Sequence, residues 1–177
     1  MSMSGRLRVV PAGTPVVAHD HVDIELANDW VVRYNDARRF GSIFWLTEPP
    51  ETFSLLARLG PEPLSEAFDG AWLKLQAARR RTAIKAFIMD SQVVVGVGNI
   101  YACEALHMAG IHPRRPAQSV SRARYDRLAE AIKTVLARAI TVGGTTLRDY
   151  IGVDGDTGYF QLSLAAYGRE GAPCPRG

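Results

Sequence analysis

At 177 residues the chain is long enough for one ordinary domain or two small ones, and its 47% apolar content supports a packed core, which excludes a disordered chain. No apolar run approaches the roughly 18 residues of a membrane span, and the N-terminus shows no secretory h-region, so a membrane or secreted protein is not expected. The net charge of +3 is unevenly spread: residues 1–70 sum to −4, residues 71–177 sum to +7, and 18 of the 21 cations are arginine.

The first third reads as β structure. Arg6-Leu7-Arg8-Val9-Val10 and His21-Val22-Asp23-Ile24-Glu25-Leu26 alternate in polarity, and Trp30 to Asp36 and Ser42 to Thr47 are short runs rich in β-branched and aromatic residues. Asn28-Asp29 predicts a turn between the second and third runs. Four antiparallel strands are expected, a meagre sheet whose edges need pairing. From residue 51 the period becomes helical. Phe53, Leu55, Leu56 and Leu59 predict a helix stopped by Gly60-Pro61, and Trp72, Leu73, Leu75 and the Arg79–Arg81 run predict a second. A third is expected over Ala83 to Met89, and a fourth opens at Asn99 and ends at Ala109-Gly110. After a proline-marked loop, Ser119 or Ser121 caps a long helix to about Val142, with Tyr125, Leu128, Ile132, Val135, Leu136 and Ile140 inward. The glycine- and proline-rich remainder predicts a loop and a short strand around Phe160 to Tyr167.

Several features could carry chemistry. An acidic part joined to an arginine-rich part suits a polyanion-binding face, although a basic surface that serves only solubility reads the same way. Val95-Gly96-Val97-Gly98-Asn99 leads glycines into a helix N-terminus, where free N–H groups attract anions, yet taken alone Asn99 reads first as a simple N-cap. Helix, proline-rich turn and second helix then form a helix–two-turn–helix arrangement able to clamp a phosphate. Tyr34-Asn35-Asp36-Ala37-Arg38-Arg39-Phe40-Gly41 suits a loop tip entering a groove, with arginine on a base and the ring wedged in the stack. A hairpin with solvated arginines and a core phenylalanine is the alternative. Lys85, one of three lysines, follows Arg79-Arg80-Arg81-Thr82 and suits phosphate contact, a solvated face or an amine nucleophile. His19-Asp20-His21 places two imidazoles on one strand face without a third ligand, so hydrogen bonding is preferred over metal. The two cysteines, Cys103 and Cys174, make no disulfide framework and fit a reducing compartment.

Taken together and in order, these segments resemble formamidopyrimidine-DNA glycosylase. The resemblance rests on Met3 to Arg8, His19 to Asp23, Tyr34 to Gly41, Leu59 to Leu64, Val94 to Glu104, Gly143 to Tyr150, Gly158 to Gln161 and Tyr167 to Arg169, and covers almost the whole chain. It implies an α+β protein: a partial antiparallel β-sandwich over 1–50, a helical helix–two-turn–helix domain over 51–171, and the start of an incomplete zinc finger over 172–177. It further implies base-excision repair of double-stranded DNA containing oxidised purines such as 8-oxoguanine and formamidopyrimidines, by a glycosylase with lyase activity acting on a flipped nucleotide. Met3, Arg38 and Phe40 resemble the void-filling trio, with Phe40 the wedge and Arg38 on the orphaned cytosine. His19, Arg80 or Arg81, Lys85 and Asn99 match positions holding the DNA backbone, with Tyr101 supporting Asn99. Thr145, Leu147, Arg148, Asp149 and Tyr150 match the start of a loop that reads the lesion.

The resemblance also implies what these residues lack. The family reacts through an N-terminal proline, a neighbouring glutamate and a lysine, none of which has a match here, so the catalytic set is expected to be absent and the chain inactive by itself. Only the first zinc ligand, Cys174, is matched, with Gly177 at the second, so no cofactor is expected although the full-length family holds zinc. A chain truncated at both ends, monomeric, bacterial, cytoplasmic and nucleoid-associated is the expectation. The alternatives are a non-catalytic damaged-DNA-binding module and a fragment without function.

Overall fold

A computed structural model describes residues 5–141 and 164–175. The fold is α+β, and its described residues divide into two compact units, one holding 5–47 and the other 48–141 with 164–175.

The first unit is a three-stranded antiparallel sheet of β1 (Gly5–Pro11), β2 (Asp20–Glu25) and β3 (Trp30–Asp36), in the order β1-β3-β2. The turn expected at Asn28-Asp29 is present: Asp29 adopts φ 59 and the Leu26 N–H donates to the Trp30 carbonyl at 2.8 Å. The central position of β3 follows from its polar side chains rather than its apolar ones. Arg33, only 3% exposed, forms a fork with the Asp23 carboxylate at 2.8 Å and also donates to the Pro15 and Thr14 carbonyls at 2.9 and 3.1 Å. Asn35 donates to Asp20 and to the Ala18 carbonyl, so β3 fastens the whole 14–20 connection across itself. The fourth expected strand, Ser42 to Thr47, does not form: residues 41–46 have no regular structure, and Trp45 is 93% exposed. A strand needs a ladder partner; β3 already has neighbours on both edges, and among the described residues the 42–47 segment pairs with neither β1 nor β2.

The second unit packs four helices, α1 (Gly70–Gln76), α2 (Ile84–Ile88), α3 (Asn99–Ala109) and α4 (Arg122–Thr141), about a core of Phe68, Leu73, Ile84, Phe87, Leu106, Tyr125 and Leu128. Asp69 caps α1 by accepting from the Trp72 N–H at 2.7 Å, an arrangement worth about 1 kcal/mol. Gly110 ends α3 at φ 65, as its position in the sequence predicts. The Ser121 carbonyl accepts the N–H groups of Arg124 and Tyr125 as α4 begins. Along α4 the inward face is as expected except for Ile140, which is 67% exposed while Ala139 is buried.

Three expectations fail here. A 3₁₀ turn at Pro50–Thr52 is followed over residues 53–58 by a bend and turns, not a helix, and Leu55, Leu56 and Leu59 are exposed. The segment ends where the Gly60 N–H donates to the Ser91 carbonyl at 2.8 Å. The helix expected to include Arg79–Arg81 stops at Gln76, since Arg79 turns to φ 64. Residues 164–167, expected in a strand, are bends and a turn. Their amides go instead to Glu104, whose buried carboxylate accepts from Ala165, Ala166 and Tyr167 at 2.8–2.9 Å. No described helix is long and apolar enough to cross a membrane.

Two stability outcomes follow. A Cβ on Gly70 would come within 2.5 Å of the Asp126 backbone nitrogen, so Gly70→Ala should cost about 1–3 kcal/mol in denaturant unfolding of the helical unit. In the sheet unit, the Arg33 hydrogen bonds hold the Asp23 carboxyl below its ordinary range. Burial opposes this at Asp20, but the Val17 N–H, Asn35 and the charges of Arg8 and Arg33 outweigh it. Carboxyls depressed in the folded state stabilise fully above the ordinary aspartate range and lose that contribution as pH falls through their folded values. Circular-dichroism melts should therefore show a melting temperature that drops on acidification below that range, with a smaller drop in Arg33→Ala.

Candidate nucleic-acid interface

Each unit holds its own group of the residues expected to touch DNA. In the helical unit they gather where α3 begins. Gly98 is the N-cap of α3 and makes no side-chain cap; Asn99 is the first helical residue, exposed, with its amide outside the capping role. Of the two readings open in the sequence, the simple cap falls. The first turn keeps its unsatisfied N–H groups and the positive end of the helix dipole beside that amide. Tyr101, half-buried, packs against the core two positions further on.

Lys85 reaches the same place from α2. Lys85, Asn99, Met89, Pro113 and Arg114 line an open cleft of about 600 Å³ that contains no carboxylate. Arg114 is the member that sequence reasoning missed. It arrives because the Lys85 and Ile84 N–H groups donate to the carbonyls of Pro113 and Arg115, at 3.2 and 2.8 Å. Such pairing between distant segments leaves no local signature; the prolines flanking 114–115 are the only hint of a fixed turn.

The arginine run splits. Arg80 is committed to Asp90 at 2.9 Å and lies 5.7 Å over the Phe87 ring, whereas Arg81 is exposed. Of the two candidates for backbone contact, Arg81 is the one without an ion pair among the described residues.

In the sheet unit, Arg38, Arg39 and Phe40 form an exposed tip beyond β3. Phe40 is 70% exposed and the Arg38 guanidinium stacks 4.8 Å over its ring, so the reading with a core phenylalanine falls. His19 is not in a strand. It occupies the left-handed region (φ 71) just before β2, exposed, while His21 hydrogen-bonds the Asp36 carbonyl at 2.9 Å. The two imidazoles therefore do not share a strand face, and no set of three metal-binding side chains exists among the described residues. Cys174 lies 3.8 Å from His107 Nε2. One thiol and one imidazole fall short of the four donors of a structural zinc site, so the described residues do not fit the zinc that the resemblance implies. Met3 and the expected lesion-reading residues Thr145, Leu147, Arg148, Asp149 and Tyr150 lie outside the described residues.

Comparison with known proteins gives a consistent relationship. The family described as the formamidopyrimidine-DNA glycosylase H2TH domain matches residues 59–150, more than half the chain, and the N-terminal domain of the same glycosylase matches residues 1–43. The formamidopyrimidine-DNA glycosylase of Xanthomonas campestris pv. campestris is 60% identical over 174 residues, covering 98% of this chain and 64% of its own length. That of Alkalilimnicola ehrlichii is 57% identical over 182 residues, with 99% and 66% covered. The chain thus spans about two thirds of the length of these relatives. Among solved structures, the MutM (Fpg) protein of Thermus thermophilus superposes with a TM-score of 0.85 at 40% identity, over 98% of this chain and 64% of that one. Lactococcus lactis Fpg in complex with DNA containing an abasic site gives 0.84 at 32% identity, over 98% and 64%. A strand-rich segment, a helix–two-turn–helix segment and the cleft between α2 and α3 thus occur in one sequence order with one set of relatives, and the chain belongs to the formamidopyrimidine-DNA glycosylase family.

Proposed function

We propose that this chain grips duplex DNA at a damaged purine and serves the family's base-excision reaction as its DNA-holding part. The cleft of Lys85, Asn99 and Arg114 carries the reading: two cations and an amide, no carboxylate, and a helix N-terminus, the donor set that a phosphodiester needs. Arg81 adds a further charge available to the backbone. In the sheet unit, the stacked Arg38 and Phe40 suit a wedge that fills the gap left by an extruded nucleotide, the ring against the neighbouring bases and the guanidinium on the orphaned one. His19 contributes a backbone contact and Met3 a third filling side chain, while Thr145 to Tyr150 contact the extruded lesion. The relatives in hand include Lactococcus lactis Fpg bound to abasic-site DNA and to DNA containing an N7-benzyl-Fapy-dG, which supports a formamidopyrimidine or other oxidised purine as the lesion. The resemblance routes the covalent steps through a proline, a glutamate and a lysine; the residues matched here supply the DNA-holding share of that reaction.

Fluorescence anisotropy on a duplex carrying an abasic analogue opposite cytosine tests the grip. Lys85→Ala and Asn99→Ala should each weaken binding about tenfold at low salt. Lys85→Ala should also lower the slope of log affinity against log salt by about 1, and the neutral Asn99→Ala should leave it unchanged. Unchanged affinity in both variants would remove the cleft from the interface. Borohydride trapping on a duplex with 8-oxoguanine opposite cytosine tests the chemistry. No covalent adduct is expected, and a trapped one would show that the chain supplies its own amine.

A further inference from the structure

The tip that presents Arg38 and Phe40 is organised by one buried side chain. Asp36, the last residue of β3, is 0% exposed. Its Oδ2 accepts the Tyr34 phenol and the Gly41 N–H, each at 2.9 Å, and its Oδ1 accepts the Arg38 N–H at 3.2 Å. Its backbone joins in: the Asp36 N–H donates to the His19 carbonyl at 3.0 Å, and its own carbonyl accepts from Arg39 and meets His21 Nε2. The chain thus leaves the sheet at residue 36, loops out through Arg38, Arg39 and Phe40, and returns to the same carboxylate at Gly41.

The closure is tight. A Cβ on Gly41 would collide with the Tyr34 hydroxyl, and Arg39 takes φ 55 so that the loop can turn back. Burying a carboxylate is costly unless its oxygens are bonded, and hydrogen bonds to a charged acceptor are the strong kind. Tyr34 lies on the same strand, its hydroxyl is a donor at neutral pH, and burial, then its bond to Asp36, push its phenol up further. A solvated hairpin tip requires none of this. A tip that must enter a base stack without first losing conformational freedom does, because order already present in the free protein is not lost again on binding.

We infer that Asp36 is a positioning residue, whose carboxylate, closed by Tyr34 and Gly41, pre-forms the 36–41 loop so that Arg38 and Phe40 meet the DNA as one stacked unit. This rests on the reading of Arg38 and Phe40 as the pair that enters the duplex.

The test uses the full chain with Asp36→Asn, which keeps the side-chain size, and the milder Tyr34→Phe, which removes one donor should Asp36→Asn fail to fold. In the free protein, NMR should show the Arg38 side-chain protons shifted upfield by the Phe40 ring, with that shift reduced in both variants. On the abasic-analogue duplex, Asp36→Asn should weaken binding about tenfold and Tyr34→Phe about threefold. In an Arg38→Ala/Phe40→Ala background each should cost less than about twofold, because residues acting through one another are not additive. Equal losses in both backgrounds, or an unchanged ring-current shift, would overturn the positioning role and leave a merely structural one. If instead Arg38→Ala/Phe40→Ala binds the damaged duplex as tightly as the parent, the wedge reading itself fails and the inference with it.

Discussion

A short stretch of backbone pairing between residues far apart in sequence sets the geometry of the helical unit. The Ala83–Pro116 bridge, with the Ile84, Lys85, Ala117 and Gln118 N–H groups donating to the carbonyls of Arg115, Pro113, Thr82 and Arg80, ties the start of α2 to the turn between α3 and α4. Backbone groups that enter a buried joint must find partners, and here each segment satisfies the other. The consequences spread outward. The 80–85 segment cannot continue α1 and also pair with 113–118, so the arginine run leaves the helix, and Arg80 turns back onto Asp90 and Phe87. The same joint brings Lys85, Asn99 and Arg114, from three different elements, around one cleft.

The sheet unit solves a different problem with similar means. Three strands offer little apolar surface to bury, and Leu7, Val9, Val22 and Ile24 remain substantially exposed. Cohesion comes instead from polar groups on the central strand. Arg33 spans Asp23, Asp20 and two loop carbonyls, Asn35 holds Asp20, and Asp36 gathers the tip. Breaking one member of such a network leaves charged groups buried without partners, which is costlier than losing a surface ion pair. Shape is therefore concentrated in a few side chains that face the 14–20 connection on one side and the Arg38–Phe40 tip on the other.

Both units thus use charged residues for architecture as well as on their exposed surface. Arg33 is buried and Arg80, half-buried, is turned onto Asp90, whereas Arg38 and Arg81 are exposed. The family's H2TH and N-terminal domains both match this chain, and each brings one kind of surface: a cation-lined cleft in one, a stacked aromatic–guanidinium tip in the other. The positive total charge of the helical half is only the coarse trace of this division.

Local periodicity determined much of the architecture without help. Three of the four expected strands, the α3 boundaries from Asn99 to the left-handed Gly110, and the long α4 were legible, because alternation, glycine stops and a heptad-like apolar face are properties of a few neighbouring residues. The exposed Asn99 and Phe40 were legible as candidates but not as choices, since a cap and a phosphate ligand, or a core ring and a wedge, share one local pattern. Tertiary structure decided the rest: that residues 42–47 find no strand partner, that 53–58 take turns instead of a helix, that Arg80 is committed to Asp90 while Arg81 is exposed, and that Arg114 joins Lys85. Each of these depends on which distant backbone or carboxylate completes a hydrogen bond, and a partner far away along the chain leaves no mark on the local sequence pattern.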